Sequence, residues 1–255
     1  MIANYHTHTS RCRHAWGAET EYIDNAIARG LKIFGFSDHT PQWFQGSYYS
    51  HMRMYPDQLD EYCNTIRALQ AQYADKISIP LGLEVEYYPA IFSELMLRLQ
   101  DKGIEYLILG QHWIGNEMNE PYSGTATGDE KILQRYCDQA IAAMETGLFS
   151  CLAHPDLIHF VGDRKIYEQH MRRLCKASID TDTPVEINFY GIGQNRHYPT
   201  GLFWELAAEE GCKVVLGMDA HCPENVSDPK QEITAMEMVH HYDLNLLETI
   251  PLRKV

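Results

Sequence analysis

The sequence predicts an α/β fold in which seven parallel strands, each followed by a covering helix, close into a barrel. Three observations carry that reading. Strand-like apolar runs alternate with helix-patterned segments seven times along 255 residues. No repeat, low-complexity tract or linker divides the chain, so a single domain over residues 1–255 is expected. Finally, polar residues gather at the C-terminal ends of successive runs: His6/His8, His39, Glu84, His112, His154, Asn188 and Asp219/His221. A doubly wound open sheet fits the alternation equally well, but only a closed or nearly closed barrel brings all seven ends around one hole.

Ile2-Ala3-Asn4-Tyr5 reads as the first strand and runs into His6-Thr7-His8-Thr9-Ser10-Arg11-Cys12-Arg13-His14. Alternation points His6 and His8 to one face, so both imidazoles reach one point, and His14 can reach a neighbouring ion. Glu19 to Gly30 has helical apolar spacing and closes on a glycine. Leu31 to Phe36 is a second strand leading to Ser37-Asp38-His39. Thr40 to Tyr55 follows as a long loop bearing Trp43, Phe44, Tyr48 and Tyr49, a length typical of a lid or binding segment. Pro56 suits a first helical position ahead of an amphipathic helix over Asp57 to Asp75.

The third strand, Ile77 to Val85, delivers Glu84 and then Glu86; Ile91 to Lys102 is a helix stopped by Gly103. Tyr106 to Leu109 is the fourth strand and opens into Gly110-Gln111-His112-Trp113, with a second long loop over Ile114 to Gly128 and a helix over Asp129 to Thr146. Leu148 to Ala153 is the fifth strand, ending at His154-Pro155-Asp156, and Arg164 to Asp180 is helical. Pro184 to Asn188 is the sixth, followed by a loop over Phe189 to Pro199 and a helix over Gly201 to Glu210. Lys213 to Met218 is the seventh, ending in Asp219-Ala220-His221; one more helix, Asp228 to Tyr242, and a short tail complete the chain.

The balance of 45% hydrophobic and 22% charged residues is that of a globular protein. A formal charge of -14 disfavours nucleic acid or an anionic membrane as the main partner. Neither a signal peptide nor a membrane span is expected. Seven cysteines, odd in number and without a CxxC, suit reduced thiols in a cytoplasm. Thirteen histidines are the anomaly. His51, His159, His170, His240 and His241 lack motif context and are expected to be structural or solvent-facing.

Taken singly, the strand-end residues suit ordinary hydrogen-bonding and capping roles, but unrelated capping needs would not fill nearly every strand end. The donors are nitrogen and carboxylate oxygen with no obvious thiolate, which suits Zn, Fe or Mn without choosing among them. About nine ligands exceed one ion's coordination, so two or three divalent ions are expected, with Glu84 placed to bridge a pair. Ions roughly 3.5 to 4 Å apart generate hydroxide and clamp an in-line displacement at phosphorus. A small phosphorylated substrate follows, with phosphate as product.

The run HTHTSRCRH, then SDH, GLE, GQH, AHPD and MDAH, in that order from Tyr5 to His221, resembles the polymerase and histidinol phosphatase (PHP) superfamily. Within it the chain is most similar to the monofunctional histidinol-phosphate phosphatases of histidine biosynthesis. The resemblance implies a distorted (β/α)7 barrel with three ions. One ion would take His6, His8, Glu84 and Asp219, a second would share Glu84 and add His112 and His154, and the third would take His14, His39 and His221. Glu84, Asp219 and His221 then belong to the catalytic centre, and Asp38 and His197 are candidates for the proton donor.

In the resembled phosphatases an arginine follows the EIN motif, where this chain has Gly193; Arg196 can take over that phosphate contact. Arg196, Arg53 and Arg11 are the substrate-binding candidates in that order, with His197 undecided. The other readings are a phosphatase for another small metabolite or nucleotide, a nuclease of the same superfamily, which the acidic charge opposes, and a non-catalytic metal-binding protein.

Overall fold

The structure, a computed structural model, describes residues 1–255. Its strands are β1 (Ala3–Asn4), β2 (Ile33–Phe34), β3 (Gly82–Val85), β4 (Tyr106–Leu109), β5 (Phe149–Leu152), β6 (Val185–Asn188), β7 (Lys213–Gly217) and β8 (Asn245–Leu246). All pairings are parallel: β1 with β2, and β3 through β8 in sequence order. Parallel strands are covered on both faces, and Tyr106-Leu107-Ile108-Leu109 is accordingly fully buried.

Alternation sorts these side chains into two clusters. Leu83, Val85, Leu107, Leu109, Ile187 and Val214 enter a core of 55 residues beneath the helices. Tyr106, Ile108, Cys151 and Val215 face the other way and meet Ala3, Tyr5, Ala153 and Ile250 in a cluster of eight. Tyr106 crosses that inner space: its hydroxyl lies within hydrogen-bond distance of Tyr5 O (2.8 Å) and Phe36 O (3.1 Å), tying β4 to the chain around β1 and β2.

The helices are α1 (Glu19–Ala28), α2 (Leu59–Gln72), α3 (Phe92–Leu99), α4 (Glu130–Glu145), α5 (Arg164–Asp180), α6 (Phe189–Gly193), α7 (Gly201–Glu210), α8 (Pro223–Ser227) and α9 (Lys230–Tyr242). Their starts are fixed locally: Asp129 accepts from Lys131 N at 2.9 Å, and Asp163 accepts from Lys165 N at 2.8 Å. No helix is long and apolar enough to cross a membrane.

Four features differ from the sequence expectation, the first being α8, which stands where no element was expected. The expected strand over Ile77 to Val85 is regular only from Gly82, because Pro80 has no N–H to donate; single bonds still link its line to β2, Phe34 N to Ser78 O (2.9 Å) and Gly82 N to Phe36 O (2.8 Å). The expected loop over Phe189 to Pro199 opens with α6, whose first turn is capped by Asn188 accepting from Gly191 N at 2.9 Å. The expected tail contains β8, an eighth strand on β7, too short to leave a periodicity in the sequence. His8 N donates to Ala220 O at 2.9 Å, joining the chain beyond β1 to that beyond β7.

Replacing Tyr106 with Phe removes the one hydroxyl proton that Tyr5 O and Phe36 O share, without changing the ring. Urea denaturation is expected to show a loss of about 1–3 kcal/mol, the usual penalty for unpairing buried polar groups.

Candidate metal centre

Strand ends bring His6, His8, His39, Glu84, His112, His154, Asp219 and His221 onto one volume, joined by His14 from the loop after β1. Glu84 is at the middle and divides the imidazoles between its two oxygens. Its Oε2 faces His39 Nδ1 (2.9 Å), His8 Nε2 (3.5 Å) and His6 Nε2 (3.6 Å). Its Oε1 faces His154 Nε2 (3.0 Å) and His112 Nε2 (3.6 Å). Asp219 Oδ1 lies 2.9 Å from His8 Nε2 and 3.4 Å from His6 Nε2. His14 completes a third group with His39 and His221.

Burial opposes charge on every member, and the neighbours decide the outcome. Burial disfavours the imidazolium of His6, but Glu186, Asp219 and Glu84 outweigh it and raise the pKa well above the ordinary value. Asp219 and Asp38 likewise lift His8 to about 9 against its burial. Burial wins at His39, held well below the usual range, and at His221, lowered to about 3 with help from His8. Burial would raise Glu84 and Asp219; His39, His112 and His6 hold Glu84, and His6 and His8 hold Asp219, well below the carboxylate range.

The donor set fits divalent ions on a direct observation. His6 Nε2, both ring nitrogens of His8, Glu84 Oε2 and His154 Nδ1 are buried and make no hydrogen bond of normal geometry, the 2.9 Å approaches of His8 Nε2 to Asp219 and of Glu84 Oε2 to His39 included. Orphaned groups like these are costly in a protein interior unless something cationic takes their lone pairs. Several triads of possible ligand atoms lie within 4.8 Å of one another, among them His6/His8/Asp219, His6/Glu84/His154 and His14/His39/His221. One triad includes Cys12, fully buried. Burial and then Asp38 push that thiol up, which leaves it protonated.

Behind the cluster stand groups that orient it. Glu186 Oε1 accepts from His6 Nδ1 at 2.8 Å, while its Oε2 takes His154 N (3.2 Å) and Asn188 Nδ2 (2.9 Å). Gly110 and Gly217 permit this crowding, since a Cβ at either would overlap the carboxylate of Glu84 or Glu186 respectively. His154 and Asp219 have φ of 30° and 49°, left-handed backbone held at two strand ends that carry donors. Outside the cluster a cavity of ≈ 190 Å³ is lined by Arg196, Tyr122, Tyr190, Tyr198 and Met52 together with His14, His39, His112, Asp219 and His221.

A profile of the PHP domain matches residues 4–189. The chain belongs to the PHP family. Over 237 residues, 88% of each chain, it is 29% identical to a protein of Deinococcus radiodurans named "Probable histidinol-phosphatase". It is 24% identical to the histidinol-phosphatase of Lactococcus lactis over 236 residues, 86% of this chain and 83% of that one. A crystal structure of the Lactococcus lactis histidinol phosphate phosphatase, complexed with zinc, L-histidinol and phosphate, superposes on 98% of this chain and 96% of its own, with TM-score 0.74 and 20% identity. At that identity the likeness is one of fold.

Of the substrate-binding candidates in this PHP chain, only Arg196 lines the mouth, its guanidinium 5.5 Å from the centre of the Tyr190 ring. Arg53 is 2% exposed and committed to Glu117 (2.5 Å) and Glu86 (2.9 Å). Glu86 in turn accepts from His112 Nδ1 at 3.1 Å, so Arg53 positions a cluster histidine from behind. Arg11 is engaged by Glu61 and Glu19 away from the mouth. Asp38 is buried behind His8, 3.5 Å from its Nδ1, and bonds Thr9 Oγ1 and His39 N; this is an orienting place and not one from which to protonate a leaving group. His197 turns away, with Nε2 on Leu157 O at 2.8 Å and its ring stacked on His159.

The sequence reading missed Glu186 and Glu117 as supporting carboxylates. Glu186 carried a signal: in the EIN motif it lies two residues before Asn188, on the same strand face. Glu117 comes from the unpatterned loop after His112 and carried none.

Glu186→Gln is expected to weaken metal binding 10- to 100-fold, read by competition with a chromogenic chelator.

Proposed function

We propose that this chain is a metal-dependent phosphomonoesterase that hydrolyses L-histidinol phosphate to L-histidinol and phosphate, in histidine biosynthesis in the cytoplasm. The observation that carries the phosphatase reading is Glu84, one carboxylate facing imidazoles on both oxygens, beside an arginine at the mouth with no carboxylate of its own. The specific substrate rests on the PHP relatives named for that activity.

The scaffold reading is a single domain in which the strands β1 to β7 form a distorted (β/α)7 barrel, with β8 added beside β7. The bonds from β2 to the line of β3, and from His8 N to Ala220 O, support closure, as do the eight side chains packed inside. In this reading His6, His8, Glu84 and Asp219 hold one ion, Glu84, His112 and His154 a second, and His14, His39 and His221 a third. Ions held there supply Lewis acidity toward phosphoryl oxygens and lower the pKa of water toward neutrality.

The chain's own groups do the rest. Arg196 neutralises nonbridging oxygens through a planar fork that matches phosphate. Burial raises the phenols of Tyr122 and Tyr198, so both remain protonated and can donate hydrogen bonds to the substrate at neutral pH. The aromatic and Met52 walls narrow access of bulk water, which strengthens every charge interaction inside.

On protein reconstituted with Mn, Fe or Zn, kcat/KM for L-histidinol phosphate is expected to exceed that for generic phosphomonoesters at least about 100-fold, a transition-state preference near 2.7 kcal/mol. Equal rates would redirect the reading to another small phosphorylated metabolite. Arg196→Met is expected to lower kcat/KM about 10- to 100-fold while metal content stays the same.

A further inference from the structure

The chain contains twelve arginines, and ten of them bond a carboxylate or a backbone carbonyl. The exceptions are Arg196, at the metal mouth, and Arg13. Arg13 lies in left-handed backbone, φ 69°, with its guanidinium 4.5 Å from the centre of the Tyr55 ring and its Nη1 bonded to Tyr55 Oη at 3.0 Å. Its Nε and Nη2 are buried and have no partner. Those two nitrogens form the edge of a guanidinium that grips a carboxylate with two parallel bonds. Arg11, two residues earlier, shows the geometry in use: its Nε and Nη2 hold the two oxygens of Glu61 at 2.6 and 2.8 Å.

Arg13 lines a cavity of ≈ 150 Å³ formed with the loop from Gln42 to Pro56, its unpaired nitrogens covered in the absence of a ligand. Gln42, 6% exposed, lines the same cavity, and neither its Oε1 nor its Nε2 has a partner. The walls are aromatic, with Trp43 and Tyr49 joined by Phe44 and Tyr48 in an edge-on pair 5.1 Å apart. No carboxylate lines the cavity, and its other cation, Arg53, is already neutralised by Glu86 and Glu117. Met52 faces the metal mouth while Arg53 and Met54 face this cavity, so one short segment separates the two.

We propose that this cavity is a second binding site, which takes a small monoanionic carboxylate carried on a flat ring. One guanidinium fork balances a single negative charge, where a phosphate dianion would leave charge over. The Gln42 amide gives a donor and an acceptor for a polar atom on the ligand, and aromatic walls select a planar body over an aliphatic one. The volume excludes a peptide and accepts one ring.

Benzoate serves as the probe and benzamide as its neutral counterpart, titrated calorimetrically into metal-loaded protein already saturated with inorganic phosphate. Benzoate is expected to bind with Kd of order millimolar or tighter, benzamide at least about tenfold more weakly, as fits a ligand of this size. Arg13→Met, which keeps the stem over Tyr55, and Gln42→Leu, which keeps the volume, should each weaken benzoate at least about tenfold. Circular dichroism and bound-metal content, unchanged in both variants, separate this from misfolding; if one variant fails to fold, the other carries the test. Displacement of benzoate by phosphate, equal binding of benzamide, or full affinity in the folded variants would each overturn the proposal.

Discussion

Glu84 is the group on which the arrangement depends, since a carboxylate 1% exposed needs cationic company to remain ionised. Five imbedded imidazoles face it, and they cannot all be charged at once, because like charges so close repel. In the metal-free protein protons on His6 and His8 supply the balance, while His39 and His221 stay neutral. Ions and protons therefore compete for the same lone pairs. In the proposed ligand assignment, ions at His6 and His8 would displace those protons, so affinity would rise with pH, and binding would contribute to folding stability.

That demand propagates outward through the strands. A carboxylate surrounded by rings has room only if its neighbours lack side chains, which Gly110 and Gly217 provide. Rings must also present the correct nitrogen, which Glu186 fixes for His6 and Glu86 for His112. Glu86 is buried beside Arg53, and Arg53 beside Glu117, whose other oxygen takes Tyr48 Oη at 2.9 Å. Through this buried chain the loops after β2 and β4 are locked to one another behind the site. Removing Arg53 would take from two buried carboxylates the guanidinium they share, a larger disturbance than losing a surface ion pair.

What the sequence made legible follows from periodicity. His6 and His8 share a face because a strand repeats every two residues, and Glu84 and Asp219 were found because apolar runs ended beside them. Nothing periodic distinguishes Arg53, which turns inward to Glu117, from Arg196, which turns to the mouth; both come from loops whose course depends on partners distant in sequence. Asp38 shows the same limit, since adjacency to His39 in a motif does not say which way a carboxylate points. β8 and α6 escaped because two and five residues are too few for a pattern, and α6 forms on one side-chain cap.

A chain of charge -14 that takes an anionic phosphate presents an apparent conflict, and distance resolves it. At physiological salt the Debye length is about 8 Å, so acids farther than that from the mouth contribute little to the potential there. Many acids are also paired on the surface, as Glu94 is with Arg98 and Asp182 with Lys213. Near the mouth the balance inverts once ions occupy the cluster, because their charge adds to that of Arg196 and the only carboxylate bordering the cavity, Asp219, is spoken for by His6 and His8. The local cations, at contact distance and within low-dielectric walls, then outweigh a screened global charge.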